Sequence, residues 1–256
     1  MTLFQTITLA LVQGLTEFLP VSSSGHLVLF QHLFGLNPPV AFDVLIHLGT
    51  LLAVIVYLRT VLKELLIKAL KRDREAWKVI LLVIIGTLPA VVAGLILDKK
   101  IELIFSSLRI VAVCWLINSF LLLSTKFIKM PTRKIKDLTK KDAFFIGIFQ
   151  AVALLPGISR SGSTMVGALH RKLKDREAFV FSFYLAIPAI FGAFLLKIPD
   201  LIHSQLNFSQ DLVAMALAGI TGYGVLSLLE LVLRKRLLWV FAFYTLVLSL
   251  LAFSLT

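Results

Sequence analysis

The sequence predicts an all-α polytopic membrane protein with six transmembrane helices plus two re-entrant helical hairpins, arranged as an inverted-topology repeat. Three observations lead there. Apolar residues make up 59% of the 256 residues and charged ones 16%, with a mean hydropathy of +0.95. An ordinary soluble domain has roughly 45–50% and about 25%. Apolar runs long enough to cross a hydrocarbon core of about 30 Å, which takes about 20 helical residues, recur along the whole chain. Two further apolar stretches are interrupted in the middle by polar residues, glycine and proline. The composition excludes a soluble globular domain and a disordered chain. The length leaves one membrane domain, 1-256, without room for a large soluble appendage.

The elements follow in order. Stretch 4–33 is apolar but broken by Gln13, Glu17, Pro20, Ser22, Ser23, Ser24 and His26. It lacks a basic leading region, so no cleaved signal peptide is expected. Spans are predicted over 41–58, 79–97 and 104–123. Stretch 143–169 is broken by Gln150, Pro156, Gly157, Ser159, Arg160, Ser161 and Ser163. Spans over 179–196, 212–233 and 238–253 complete the chain. Two half-membrane helices joined at depth by a polar turn explain each broken stretch. Irregular backbone at that depth is tolerated only when buried in protein or lining a wet cavity.

Charge sets the orientation. There are 26 Lys plus Arg against 14 Asp plus Glu, formally +12. The basic residues lie between the apolar runs, which reads as the positive-inside bias of cytoplasmic loops and not as nucleic-acid binding. Segments 59–78, 126–141, 171–176 and 234–236 are basic and expected inside. Segments 36–40, 98–102 and 197–211 are poor in basic charge and expected outside. This alternation closes only if both broken stretches return to the side they entered from, which puts both termini outside. Cys114, the single cysteine, lies in an apolar run, and no intrachain disulfide can form.

A fixed offset of 137 residues relates the two broken stretches. Gln13 falls on Gln150, Ser22 on Ser159, Ser24 on Ser161, Gly25 on Gly162, Ala41 on Ala178 and Phe42 on Phe179. Each half, approximately 1-128 and 138-256, is then one hairpin plus three crossings. Three is odd, so the halves enter from opposite sides. Such inverted repeats place a site near the midplane, built from half-helix ends.

The polar middles carry the chemistry. Gln13 and Glu17 are four apart and share a helix face. Pro20 ends that helix. Ser22, Ser23, Ser24 and Gly25 bring hydroxyls and backbone N–H groups to the start of the next, a natural anion site. Ser159, Arg160, Ser161, Gly162 and Thr164 put a guanidinium among hydroxyls at an equivalent helix start. Arginine grips phosphate oxygens with paired hydrogen bonds. The reading is a phosphate site inside a membrane. Glu17, with Gln13 beside it, helps hold a divalent cation or takes a proton. Ser23 and His26, three apart, form a nucleophile and its base. His47 is read as a hydrogen-bonded packing residue. Asp43 and Asp142 are read as helix caps or site carboxylates.

These residues resemble the undecaprenyl-diphosphatase family of the bacitracin-resistance type. The resemblance rests on residues 13–26, on Pro156 through Thr164 and on Asp43-Val-Leu-Ile-His-Leu-Gly49. It implies hydrolysis of the phosphoric anhydride of undecaprenyl diphosphate at the outer face of the bacterial inner membrane, recycling the carrier lipid of cell-wall polymers. By resemblance, Glu17, Ser23, His26, Ser159, Arg160 and Thr164 are active-site positions, and magnesium or calcium is the cofactor. Ser23 attacks phosphorus, His26 is base or acid, and Arg160 with hydroxyls stabilises the transition state; His26 as nucleophile is the other arrangement. Members with glutamate at the first motif position have two carboxylates there, whereas this chain has Gln13 and Glu17. The implied partners are a polyprenyl diphosphate, membrane lipid and a second copy in a homodimer. The main rival is a lipid-phosphate transporter or flippase built on the same repeat. A non-enzymatic scaffold leaves the polar constellation unexplained.

Overall fold

The computed structural model describes residues 1–36, 40–105, 107–129, 131–203 and 208–256. The outer segments expected at 36–40 and 197–211 fall partly outside the described residues. Among the described residues the chain is helical, apart from one isolated bridge between Arg133 and Leu173.

Helix α1 (Leu3–Thr16) opens on a reciprocal cap between Thr2 and Gln5, which occupies two N–H groups the helix start leaves unpaired. A break at 17–22 follows, and α2 (Ser23–Phe34) runs from a Ser22 cap to Gly35 in the left-handed region. Helix α3 (Val40–Tyr57) then bends by 71° into α4 (Arg59–Leu70). Two long apolar helices come next, α5 (Arg74–Phe105) and α6 (Leu108–Ser124).

The second half opens the same way. Thr139 and Asp142 form the reciprocal cap that starts α7 (Lys140–Val152). A break at 153–159 leads to α8 (Arg160–His170), capped by Ser159. Then come α9 (Asp175–Leu196), α10 (Ile198–His203), α11 (Phe208–Arg234) and α12 (Phe241–Ser254).

Both broken stretches are therefore helix–break–helix, and in each the two helices pack on one another. Among the described residues, four helices are long and apolar enough to cross a membrane: Arg74–Leu97, Leu108–Phe127, Asp175–Leu196 and Ser209–Arg234. The bent pair Phe42–Tyr57 with Arg59–Leu70 makes a fifth. This is a multi-pass membrane protein. The count differs from six at two places. The run at 41–58 ends in a sharp bend, beyond which α4 exposes Lys63, Glu64 and Lys68. The run at 238–253 spends its first three residues on a 3-10 turn, leaving a 14-residue helix.

Packing puts the breaks at the centre. Helix α8 is buried from Ser161 to Leu169, enclosed by α6, α7 and α9. The largest core cluster runs from Phe18 through Met165 to Phe179, Phe181 and Phe183. In lipid such side chains stabilise by close packing and not by removal from water. At the basic end, Asp142 ties the second hairpin to its loops. It accepts from Arg133 at 2.8 Å and Arg171 Nε at 2.5 Å. Burial pushes its carboxyl up, but those guanidiniums and Thr139 outweigh it and hold it below the usual carboxylate range. Asp142 is thus a cap and a staple.

Candidate active site

The two breaks meet each other, and the joint is made of hydrogen bonds between backbone and buried hydroxyls. A buried carbonyl or N–H without a partner is costly, and here each break satisfies the other. Ser161 Oγ donates to Phe18 O at 2.8 Å, and Ser159 Oγ donates to Leu19 O at 3.3 Å. Ser22 Oγ accepts from Gly25 N at 3.2 Å and from Gly157 N at 3.0 Å. Helix α6 supplies the remaining partners. Asn118 donates to Pro20 O and accepts from Ser159 N, both at 3.0 Å, while Trp115 Nε1 donates to Val21 O at 3.0 Å.

Backbone strain sits at the same joint. Ser22 has φ 69°, rare for a residue with a side chain, and Gly157 has φ 104°. A Cβ on Gly157 would lie 2.6 Å from Val111 O. The glycines of the motifs serve close approach. A Cβ on Gly25 would lie 2.9 Å from the Trp115 ring, and one on Gly162 would lie 3.0 Å from Pro20. Their N–H groups are taken by Ser22 Oγ and by Ser159 Oγ, the latter at 3.1 Å.

This scaffold holds one charged constellation. Glu17, at the end of α1, receives Arg160 Nη2 on Oε1 at 2.7 Å. On Oε2 it receives the Ser23 hydroxyl at 2.5 Å and Gln13 Nε2 at 3.1 Å. His47 Nε2 stands 3.8 Å from the same oxygen. The Glu17 and Arg160 side chains are 7% and 15% exposed. Two polar atoms are left over: Arg160 Nη1 and Gln13 Oε1 are buried without a hydrogen-bond partner. An unpaired guanidinium nitrogen in a buried site is a waiting anion donor.

The sequence-derived residues therefore divide. Glu17, Ser23, Arg160 and Gln13 come together directly. Ser159, Ser161 and Thr164 act as stitching: Thr164 Oγ1 lies 2.8 Å from Arg160 O and 2.5 Å from Ser182 Oγ. Ser24 Oγ lies 3.1 Å from Ser22 Oγ. His26 faces away from Ser23. Its Nδ1 donates to Ser22 O at 2.7 Å, its Nε2 lies 2.9 Å from the Tyr244 hydroxyl, and the Trp115 ring meets it edge-on. The group that the Ser23 hydroxyl meets is the Glu17 carboxylate.

Three residues of the site lie outside the motifs, and a fourth, His47, lies within one of them. Trp115, Asn118 and Tyr244 come from apolar runs, where a lone polar side chain is the one available signal. His47, read from sequence as packing, reaches the site because Asp43 O accepts from its Nδ1 at 2.7 Å and turns Nε2 toward Glu17. Asp43 accepts from Gln31 at 3.3 Å and stays outside the cluster.

The donor set does not fit a resident divalent cation. Such an ion takes about six oxygen ligands, usually with several carboxylates. Here the single carboxylate is neutralised by Arg160 and occupied by Ser23, and among the described residues no three His, Cys, Asp or Glu side chains converge. Beside Glu17, the unengaged oxygen is an uncharged amide one, Gln13 Oε1.

Comparison with known proteins identifies the family. Residues 6–251 match the family model described as bacitracin resistance protein BacA. The undecaprenyl-diphosphatase of Thermosipho melanesiensis is 39% identical over 97% of this chain and 98% of its own length. Undecaprenyl-diphosphatase 4 of Bacillus thuringiensis strain Al Hakam is 41% identical over 94% and 92%. That of Halothermothrix orenii is 35% identical over 95% and 94%. The family-model match over nearly the whole length and these relatives lead to one conclusion: this chain belongs to the bacitracin resistance protein BacA family.

Proposed function

We propose that this protein is an integral-membrane phosphatase that hydrolyses undecaprenyl diphosphate to undecaprenyl phosphate and phosphate. One observation carries the reading: Glu17 holds the Ser23 hydroxyl on one oxygen and Arg160 on the other, with Arg160 Nη1 unpaired. The relatives named undecaprenyl-diphosphatase support the substrate. A carrier that only moved a phosphate would use the guanidinium, but it has no need of a hydroxyl held on a carboxylate.

In the first step, Ser23 Oγ attacks the terminal phosphorus while its proton passes to Glu17 Oε2. The bond from that phosphorus to the bridging oxygen breaks, and undecaprenyl phosphate leaves. Arg160 stabilises the charge spread over the transferring group, the main demand of phosphoryl transfer. Water then attacks the phosphoserine, the P–Oγ bond breaks, and the proton on Glu17 returns to Ser23. Both hydrogens of that water leave on the released phosphate, and His26, with its ring nitrogens on Ser22 O and Tyr244, takes no proton in either step. Gln13 and Glu17 would not hold a magnesium or calcium ion as a resident; a cation accompanying the substrate would supply neutralising charge to the diphosphate. Lateral access from lipid suits the prenyl tail, and the head reaches a buried polar joint.

In this reading the two helix–break–helix units are re-entrant hairpins, and both termini lie on the outer face of the bacterial inner membrane. Packing supports an inverted repeat: α1 on α11 matches α7 on α5, α3 on α11 matches α9 on α5, and α6 packs on its own counterpart α12.

The test is phosphate release from a long-chain prenyl diphosphate by detergent-purified protein, with magnesium or calcium and then with chelator. Cation-dependent release is expected. Absence of release from a folded preparation would overturn the proposal.

A further inference from the structure

Away from the joint, a cleft of about 220 Å³ opens at the basic end of the molecule, between α4, α5 and α9. Its walls are largely apolar, with Val61 and Leu65 from α4, Val79 from α5 and Val180 from α9. Three polar side chains line it as well. Tyr184 is 7% exposed, and its hydroxyl has no hydrogen-bond partner among the described residues. A buried phenol normally finds one. Arg176 and Glu177, neighbours at the start of α9, set one cation beside one carboxylate. Glu177 Oε2 accepts from Ile135 N at 2.8 Å, and its other oxygen is unengaged among the described residues. Arg176 is exposed and makes no ion pair there. The carboxylates that face Arg176 and Tyr184 from other helices are already taken, Glu230 by Tyr57 and Arg234, and Glu64 by Lys68. On the outer side of α4, Leu66 and Leu70 are 60% and 83% exposed, with Lys63 one turn from Leu66. Apolar and basic side chains sharing an exposed face mark the level where lipid tails give way to headgroups.

The geometry points to a binding site for one phospholipid that carries a primary ammonium beside its phosphate, the class of phosphatidylethanolamine. Arg176 takes the phosphate. The unengaged Glu177 oxygen accepts from the ammonium. The Tyr184 hydroxyl donates to an ester or phosphate oxygen, which hydrocarbon alone would not offer it. The valines and Leu65 receive the first part of an acyl chain, a surface that a water-soluble zwitterion would leave unused. The cleft holds one free positive and one free negative group, so a headgroup with net charge of either sign leaves one of them unmatched. The lipid then ties α4, beyond its bend, to α5 and α9.

The test is native mass spectrometry of the detergent-purified full chain, titrated with phosphatidylethanolamine, phosphatidylcholine and phosphatidylglycerol of the same acyl chains. One phosphatidylethanolamine per chain is expected to be retained, about fivefold more tightly than phosphatidylcholine, whose quaternary ammonium has no hydrogen to donate. Glu177→Gln keeps an oxygen for Ile135 N and removes the charge, and it is expected to retain these two lipids equally. Arg176→Gln and Tyr184→Phe are each expected to weaken phosphatidylethanolamine about fivefold. Lys140→Gln removes an exposed lysine outside the cleft and is expected to bind as wild type does. Equal retention of all three lipids by wild type would overturn the inference, as would a preference for phosphatidylethanolamine that survives Glu177→Gln. Tighter binding of phosphatidylglycerol would also overturn it, by making the cleft a site for anionic headgroups. So would a loss in Lys140→Gln as large as in Arg176→Gln, which would reduce the effect to diffuse surface charge. These readouts do not depend on phosphate release.

Discussion

Glu17 is a carboxylate with a guanidinium on one oxygen and a hydroxyl on the other, so its partners fail differently when removed. Arg160→Ala leaves a buried carboxylate uncompensated, a loss of about 3–5 kcal/mol for such pairs. Glu17→Gln leaves Arg160 near Gln13 and the breaks but removes the base. Both are expected to lose phosphate release. Thermal denaturation in detergent is expected to show Arg160→Ala as the less stable, and Glu17→Gln added to Arg160→Ala as partly restoring stability without activity. Additive destabilisation would contradict the ion pair. At this scale the sequence was informative for a physical reason. Ionisable residues are costly inside a membrane and are functional candidates by default, so Glu17 and Arg160 stand out. The hydroxyls do not sort themselves. Ser23 meets Glu17 while Ser159 and Ser161 tie down backbone, and only the path of the breaks decides which does which. The expected Ser23–His26 dyad fails to form because the Ser22 carbonyl and Tyr244 take both ring nitrogens.

At the scale of elements, the breaks were legible because Pro20 and Pro156 stand among clustered polar residues and glycine, whereas Pro89 and Pro188 lie inside otherwise apolar helices. What joins them was not. Asn118 is one amide in the apolar run 104–123, yet it satisfies Pro20 O in one break and Ser159 N in the other. Asn118→Leu keeps the volume and removes both bonds. Each buried group left unpaired costs about 1–3 kcal/mol, and the breaks lose their register. The expected outcome is a lower midpoint of thermal denaturation together with loss of phosphate release. An active, fully stable Asn118→Leu protein would show that the breaks are held elsewhere. The bend after α3 and the short α12 were also hidden, since an apolar run records hydrophobicity and not straightness. Leu58 and the turn before Phe241 interrupt runs that composition alone shows as continuous.

For the whole molecule, the lopsided charge and the alternation of basic segments lead to an orientation, and the structure adds that the basic segment before α7 is stapled to the end of α8 through Asp142. In the proposed topology, a cysteine replacing Lys100 is labelled by a membrane-impermeant thiol reagent from outside, and one replacing Lys134 only after the membrane is opened. The reverse pattern would invert the orientation. The family is legible because its two motifs are long and polar in an otherwise apolar chain. The metal ligands were not legible in the same way. Resemblance implies a cation, but Gln13 in place of a second carboxylate and the Glu17–Arg160 pair leave no cage for one.

The most direct test of the account is to quench the purified protein during turnover of a prenyl diphosphate labelled in its terminal phosphate, and to map any label left on the chain. The account predicts an acid-stable phosphoserine at Ser23, absent in Ser23→Ala and in Glu17→Gln. An acid-labile label on His26, or full phosphate release by Ser23→Ala, would contradict it.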